Sequence, residues 1–181
     1  MDRLREAAKE YAKLFDKDYV YTLETGTVLQ VYFNPGFFHH LIGLQKLKDV
    51  DLVIKHPRNS PAYIFRNILN GRISINDIQK SIYFNEIEGR LRHFSQIKRM
   101  VEFEKVIIEF DSSLIRSKMV KADYVLFKRS NDNMYLNLFL KSDTPNQERH
   151  IPLTFLPHAT DYYTFGQKVI NILSMSAVDR V

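Results

Sequence analysis

The feature that most constrains the fold of this chain is a change in the spacing of its apolar residues near position 104. From residue 73 to about residue 103, apolar residues recur at intervals of three to five, which is typical of amphipathic helices. From residue 105 onward, apolar and polar residues alternate, which is typical of strands. The sequence therefore predicts helices followed by a sheet, an α+β arrangement.

Helix and turn signals divide the first part of the chain. Residues 3–15 carry apolar positions on one helical face, and alternating stretches on both sides of Thr25-Gly26 predict a hairpin. Ser60 begins "SPAYIFRNILNG", which predicts a capped helix that ends before a glycine. Within residues 73–103, Ser74 or Asn76 can cap a helix, and the helical segment forms one or two pieces. Gly89 can mark a break between them.

Strands are predicted over residues 105–110, 122–129, 134–141 and 150–157, and pairing in order would make a four-stranded antiparallel sheet. The segment "DYYTFGQKVINILSM" that follows predicts a short C-terminal helix. We expect a single domain over residues 1–181, with the N-terminal helix and hairpin in 1–32, the core in 33–160 and the C-terminal helix in 161–181. Helices would cover one sheet face and leave the other free.

Composition narrows the class of protein. The chain has no cysteine, which excludes disulfides and thiolate chemistry, and its formal net charge is +5. The charged N-terminus and the lack of a long apolar run predict a soluble, cytoplasmic protein without a membrane span. The basic stretch "RLRHFSQIKR" suits a polyanion such as RNA or DNA, although a solvated helix face explains it equally well. Signature motifs of nucleotide-binding proteins, zinc proteases and serine hydrolases are absent.

Strand alternation sorts the polar residues of the sheet onto its free face. If the purely apolar sets face the core, Asn137, His150 and Thr154 lie together on the other face, with Tyr124 and Lys128 outward as well. Such groups can run metal-free RNA cleavage, which needs a base, an acid and cations for the phosphate. Polar residues on the wet face of any soluble sheet are the plain alternative.

The adjacent histidines of "FFHHLIGLQKL" cannot share a helix face, because neighbouring residues diverge by about 100°. His39 lines up with Gly43 and Lys46, so the helical wheel makes it the wetter of the two. His40 lines up with Leu44, nearer the core, and we expect it at a partly buried cleft edge. Neither has an obvious carboxylate one turn away, so a metal site is not predicted, and no cofactor is expected.

Five segments together resemble a known family. They are "HHLIGLQKL", "FRNILNGRISINDIQKSIYFNEIEGRLRHF", "IIEFDSSLIRSKMVKADYVLFKR", "MYLNLFL" and "IPLTF". In this order they are similar to the phage-associated nuclease-like domains of the barnase, EndoU, colicin and RelE (BECR) superfamily, the fourth family of that series, over roughly residues 30–160. The most specific pieces are the HL-x-GL-x-KL run and the S-x-x-x-x-ADY segment.

The resemblance implies a BECR-like fold and a metal-independent ribonuclease of phage or prophage origin. Carried over to this chain, it implies four catalytic residues: His40, Lys128, Thr154 and Ser117. Together with the assignment of polar residues to the free sheet face, it gives six substrate-binding candidates: His39, Lys46, Arg90, Tyr124, Asn137 and His150. RNA is the expected partner, with an inhibitor or host protein as a further one. Each residue also has a structural alternative, such as a turn cap for Ser117.

Two functions from different classes follow. The first is a small ribonuclease, for which His40, Lys128 and Thr154 must converge on one cleft. The second is a catalytically inactive nuclease-fold module that binds a host nucleic acid or defence protein.

Overall fold

The computed structural model describes residues 2–50, 60–116, 120–143 and 149–180, which fall into two compact units. The helical unit consists of the described parts of residues 1–15 and 34–98. The barrel unit consists of the described parts of residues 16–33 and 99–181. Within the described ranges, no helix is both long and apolar enough to cross a bilayer.

The helical unit is built from short helices around a cluster of aromatic rings. Its helices are α1 (Arg3–Ala12), α2 (Phe38–Ile42), α3 (Pro61–Leu69), α4 (Ile75–Ile78) and α5 (Asn85–His93). Tyr11 is fully buried, and the rings of Phe38, Phe65 and Phe94 lie 5.5 to 5.9 Å from it between centroids. These tilted and edge-to-face contacts are the favoured geometries for aromatic pairs.

Side-chain caps explain where several helices begin. Most of the helix predictions for this region are confirmed. The helix in residues 3–15 is confirmed, as is the helix that begins after Ser60, whose side chain accepts from the Tyr63 backbone N–H. Residues 73–103 form three α-helices rather than one or two: α4, α5 and α6 (Ile97–Phe103). Ser74, not Asn76, caps α4. Gly89 lies inside α5 and does not break it.

The barrel unit is a closed sheet of seven strands. They are β1 (Lys17–Leu23), β2 (Val28–Tyr32), β3 (Val106–Glu109), β4 (Tyr124–Arg129), β5 (Tyr135–Ser142), β6 (Arg149–His158) and β7 (Lys168–Asp179). The order around the barrel is β1-β2-β6-β5-β4-β3-β7, and β7 pairs with β1 to close it. The pairing of β2 with β6 is parallel, and the other pairings are antiparallel.

The predicted strands are present, but two features of the predicted fold are wrong. The hairpin is confirmed, and β3, β4, β5 and β6 pair in order as an antiparallel meander. The meander is not a separate four-stranded sheet, because the hairpin and β7 complete it into the barrel. The predicted C-terminal helix is instead β7, where buried Ile170 and Ile172 alternate with exposed neighbours. This period of two suits a strand that pairs with β1 on one side and β3 on the other.

Both faces of the meander are covered, so the prediction that one sheet face is free is wrong as well. One face points into the barrel, where paired residues such as Leu126 and Leu138 are fully buried. The other face carries a second apolar cluster, covered by the segments that follow β3 and β6. Its members include Ile108, Phe110, Ile115, Val120, Val125 and Phe139, with Tyr162 and Tyr163 packed against them. Asn137 and His150, expected on a wet face, are each 1% exposed.

Candidate functional site

A lysine, a glutamate and an arginine come together where α6 and β4 end. Lys128 Nζ lies 3.7 Å from Glu104 Oε1, and the two side chains are only 18% and 20% exposed. Arg99, on α6, acts electrostatically on the same carboxyl. Glu104 directly follows the last residue of α6, so the junction between helix and strand places it there. One half-buried carboxyl thus faces two cations within the barrel unit.

The surroundings of Glu104 change its acid–base behaviour. Burial is the largest effect and raises the pKa of the Glu104 carboxyl, while Lys128 and Arg99 act in the opposite direction without cancelling it. A carboxylate with a raised pKa accepts a proton from a hydroxyl more readily than an exposed one. A perturbed carboxyl beside cations, partly shielded from water, is the kind of group that serves as a catalytic base.

Lys128 and Thr154, both predicted catalytic residues, lie on opposite faces of the sheet. Thr154 pairs with Phe139, and Phe139 pairs with Val125, which lies three positions before Lys128 on β4. Directly paired residues share a face, and side chains along a strand alternate, so an odd separation reverses the face. The expected convergence of these two residues on one cleft is therefore not met, and a ribonuclease site at Lys128 needs a partner other than Thr154.

A register shift explains why alternation misplaces the residues of β6. Between Phe139 and Leu140 the pairing of β5 with β6 shifts by one residue. His150 therefore lies on the face opposite to Thr154, although their even spacing predicts a shared face. The structure brings His150 together with Tyr124, and their rings meet edge to face at 5.5 Å between centroids. Two of the predicted binding residues are thus neighbours, with His150 buried.

Asn137 serves the sheet itself. Its Nδ2 donates to the backbone oxygen of Tyr135 at 3.1 Å and to that of Leu156 at 3.0 Å, which links β5 to β6. Its Oδ1 is buried and has no hydrogen-bond partner among the described residues. A buried acceptor without a partner is unfavourable by about 1–3 kcal/mol, so it marks a place where sheet stability is not the only requirement.

The two adjacent histidines lie on α2 with exposures opposite to the expectation. His40 is exposed, whereas His39 is half-buried, and its Nδ1 has no partner among the described residues. Burial, and then the neighbouring His40 ring at 5.4 Å, lower the pKa of His39 to about 4. The helical-wheel prediction is wrong because α2 spans only five residues and buries Phe38, Leu41 and Ile42 instead.

Gly43 and Arg90 hold the end of α2 in place. Gly43 adopts φ +87°, and a Cβ there would lie 2.9 Å from Ile87 Cγ2 and 3.3 Å from Arg90 Cδ. Arg90 is 6% exposed, and its Nη1 donates to the backbone oxygen of His40 at 3.2 Å. The HL-x-GL motif is therefore explained by the close approach of a buried arginine to a left-handed glycine.

The remaining predicted residues belong to different units or lie outside the described residues. Lys46 Nζ lies 3.1 Å from Glu86 Oε2. His40, Lys46 and Arg90 belong to the helical unit, while Lys128 and Thr154 belong to the barrel unit. Ser117 lies outside the described residues. Among the residues that the structure places, no group of three or more histidine, aspartate or glutamate side chains is arranged to hold a metal ion.

Sequence reasoning missed Glu104. Its only signal in the sequence is its position, one residue before the apolar spacing changes from helical to alternating. A charged residue at such a boundary is usually solvated, and only its contact with Lys128 and its 20% exposure show that Glu104 is not.

Comparison with known proteins adds a family. The family model described as phage-Barnase-EndoU-ColicinE5/D-RelE like nuclease 4 matches residues 3–180. No curated protein and no solved structure matches the chain. The match takes in nearly the whole sequence, beyond the 30–160 range suggested by the motifs, and a nuclease family implies a nucleic acid substrate. The chain therefore belongs to the phage-Barnase-EndoU-ColicinE5/D-RelE like nuclease 4 family.

Proposed function

We propose that this protein is a metal-independent endoribonuclease with Glu104 as the general base. The observation that carries the proposal is the half-buried Glu104–Lys128 pair, in which burial raises the pKa of the carboxyl. Family membership supports a nucleic acid as the substrate. As a phage-type nuclease, it would act on RNA in the cytoplasm of a bacterial host.

The proposed reaction is cleavage of RNA by its own 2′-hydroxyl, and it uses the carboxylate and the two cations of this site. The 2′-oxygen of RNA attacks the neighbouring phosphorus, and its proton passes to the Glu104 carboxylate. Negative charge that develops on the phosphoryl oxygens is stabilised by Lys128 and Arg99. The bond from phosphorus to the 5′-oxygen then breaks, and that oxygen takes a proton from a general acid. The products are a 2′,3′-cyclic phosphate and a 5′-hydroxyl, and no step needs a metal ion or cofactor.

His40 stays the candidate catalytic histidine of the family motif, and because it belongs to the helical unit it is given no position relative to Glu104. The His40 side chain is exposed on α2, and imidazole is the side chain that most readily exchanges protons near neutral pH. The resemblance of the surrounding motif to the family pattern supports the same residue. Thr154 is not assigned to this centre, because its side chain lies on the sheet face opposite to Lys128.

The test is cleavage of labelled RNAs by the pure protein in EDTA, with Glu104→Gln compared against Glu109→Gln. Glu109 is the matched control because it also pairs with a lysine, Lys168, at 2.6 Å, but it is 49% exposed. We expect cyclic phosphate ends from the wild type. Glu104→Gln should lower the cleavage rate by about 10²- to 10⁴-fold, whereas Glu109→Gln should change it little.

The pH profile and two further variants complete the test. Activity should rise with pH through the raised pKa of Glu104, because only the ionised carboxylate accepts the proton, and Glu104→Gln should remove that limb. Lys128→Ala and His40→Ala should each slow cleavage at constant fold, as judged by circular dichroism. Equal losses in the two glutamine variants would refute the role of Glu104. Absence of cleavage across varied RNAs would overturn the proposal and favour an inactive binding module.

A further inference from the structure

Four side chains form a row of rings and positive charge across the ends of β4, β5 and β6. Arg129 pairs with Tyr135, and Tyr135 pairs with His158, so the three lie side by side on one sheet face. The Arg129 guanidinium lies 5.6 Å from the centroid of the Tyr135 ring. The ring of Tyr162 stacks on His158 at 5.3 Å with an interplanar angle of 28°. We call Arg129, Tyr135, His158 and Tyr162 the aromatic row.

The rings of the aromatic row are held in place and yet accessible. Tyr162 packs against the apolar cluster that contains Phe139, and its ring also meets Tyr163 edge to face. His158 Nδ1 lies 3.2 Å from the Thr160 backbone nitrogen and 3.1 Å from both the Thr160 hydroxyl and the Thr160 backbone oxygen, and these contacts hold the ring in place. The three rings are partly exposed and Arg129 is exposed. Pre-organised rings lose little conformational freedom when they bind a flat partner.

The position of the aromatic row connects it to the reacting centre. Arg129 directly follows Lys128 and is the last residue of β4, so the two α-carbons are about 3.8 Å apart. Their side chains leave the strand on opposite faces, at the end of β4. A nucleotide bound on the aromatic row would therefore place the next phosphate of its strand around this end of the sheet.

The chemistry of the row selects one kind of ligand. Aromatic rings bind the face of a nucleobase by stacking, and a guanidinium beside them binds phosphate or stacks as well. The face of a base is available only where the strand is unpaired, because in a duplex both faces are covered by neighbouring bases. The buried Asn137, which shares this sheet face with Tyr135, fixes the spacing of β5 and β6 beneath the row.

We propose that the aromatic row stacks an unpaired nucleobase, so that single-stranded RNA is the substrate class of this protein. The proposal rests on the proposed function for the chemistry, but it concerns binding and can be tested without cleavage. A 2′-O-methyl oligonucleotide serves as the probe, because it has no free 2′-hydroxyl to attack the phosphate.

The experiment measures fluorescence anisotropy of a labelled single-stranded 2′-O-methyl oligonucleotide and of its duplex. Tyr135→Leu and Tyr162→Leu are compared with Tyr63→Leu, which removes a 41% exposed tyrosine from α3. We expect the wild type to prefer the single strand. Each variant in the row should weaken single-strand binding by about 5- to 100-fold and leave duplex binding nearly unchanged, and Tyr63→Leu should change neither by more than about 2-fold.

Two results would overturn this proposal. One is equal loss of single-strand binding in Tyr63→Leu and in both variants of the row. The other is tight duplex binding that the row variants weaken by the same factor. Failure of RNA cleavage with intact single-strand binding would refute the ribonuclease mechanism and leave the stacking site standing. Using two variants of the row keeps the test decisive if one of them does not fold, as judged by circular dichroism.

Discussion

Replacing Gly43 by alanine should destabilise the protein through two separable effects. At φ +87° a residue with a Cβ is strained by about 1–2 kcal/mol. The new Cβ would also lie 2.9 Å from Ile87 Cγ2, closer than real Cβ contacts, and such overpacking typically adds about 1–3 kcal/mol. Because Arg90 lies beside the same site and donates to the His40 backbone oxygen, relief of the contact would disturb that bond. The expected total loss is about 2–5 kcal/mol.

Gly26→Ala is the matched control, because Gly26 adopts φ +82° but a Cβ there would meet nothing within 4 Å. It should lose only the conformational part, about 1–2 kcal/mol. The assay is urea denaturation followed by circular dichroism, with the slope required to stay constant so that midpoints report stability. If Gly43→Ala lowers the free energy of unfolding by no more than Gly26→Ala does, within about 0.5 kcal/mol, the contact with Ile87 is not a reason why position 43 needs glycine.

Three other predictions use the same denaturation assay. Gly89→Ala should raise the free energy of unfolding by about 0.5–1 kcal/mol, because Gly89 lies inside α5 with open space around it; a loss would contradict this. Tyr21→Phe should lower the free energy of unfolding by about 1–3 kcal/mol, because it removes the hydroxyl that donates to the Val101 backbone oxygen at 2.6 Å. Tyr19→Phe removes a buried hydroxyl with no partner among the described residues, so it should be neutral or stabilising. Equal losses in the two variants would refute the distinction. The pKa of His39 is lowered from 6.5 to about 4, so the unfolded chain binds the proton more tightly than the folded chain does. The free energy of unfolding should therefore fall by about 1–2 kcal/mol as pH drops from 6.5 to 4, after a discount for partial exposure. If His39→Gln leaves the dependence of this free energy on pH unchanged, the loss belongs to other groups.

The local elements of this fold were predictable from the sequence because their causes are local. The alternation after residue 105 located four strands, and Ser60 located the start of α3 through its side-chain cap. The strand β7 was missed although its apolar residues alternate, because what makes it a strand is pairing with β1, about 150 positions earlier. Closure of the barrel is a property of such distant pairings, which spacing along the chain does not report.

The candidate site was predictable only in part, for a related reason. Lys128 was identified from the motif that it ends, but Glu104 becomes notable only once burial raises its pKa. Assigning Thr154 and His150 to one face assumed an unbroken register, and the shift after Phe139 separates them. A single extra residue in β6 is invisible to a pattern of period two, yet it reverses every side chain beyond it.

Because β7 follows the other strands in the chain, the barrel can close only after β7 has been synthesised. The partners of β7 are β1 and β3, so until β7 leaves the ribosome both strands remain open edges able to pair with other chains. The helices α2 to α5 lie between β2 and α6 in the chain and can form before the final strand of the barrel is available. A chain that stops before β7 would keep both of these edges open and would be prone to aggregate.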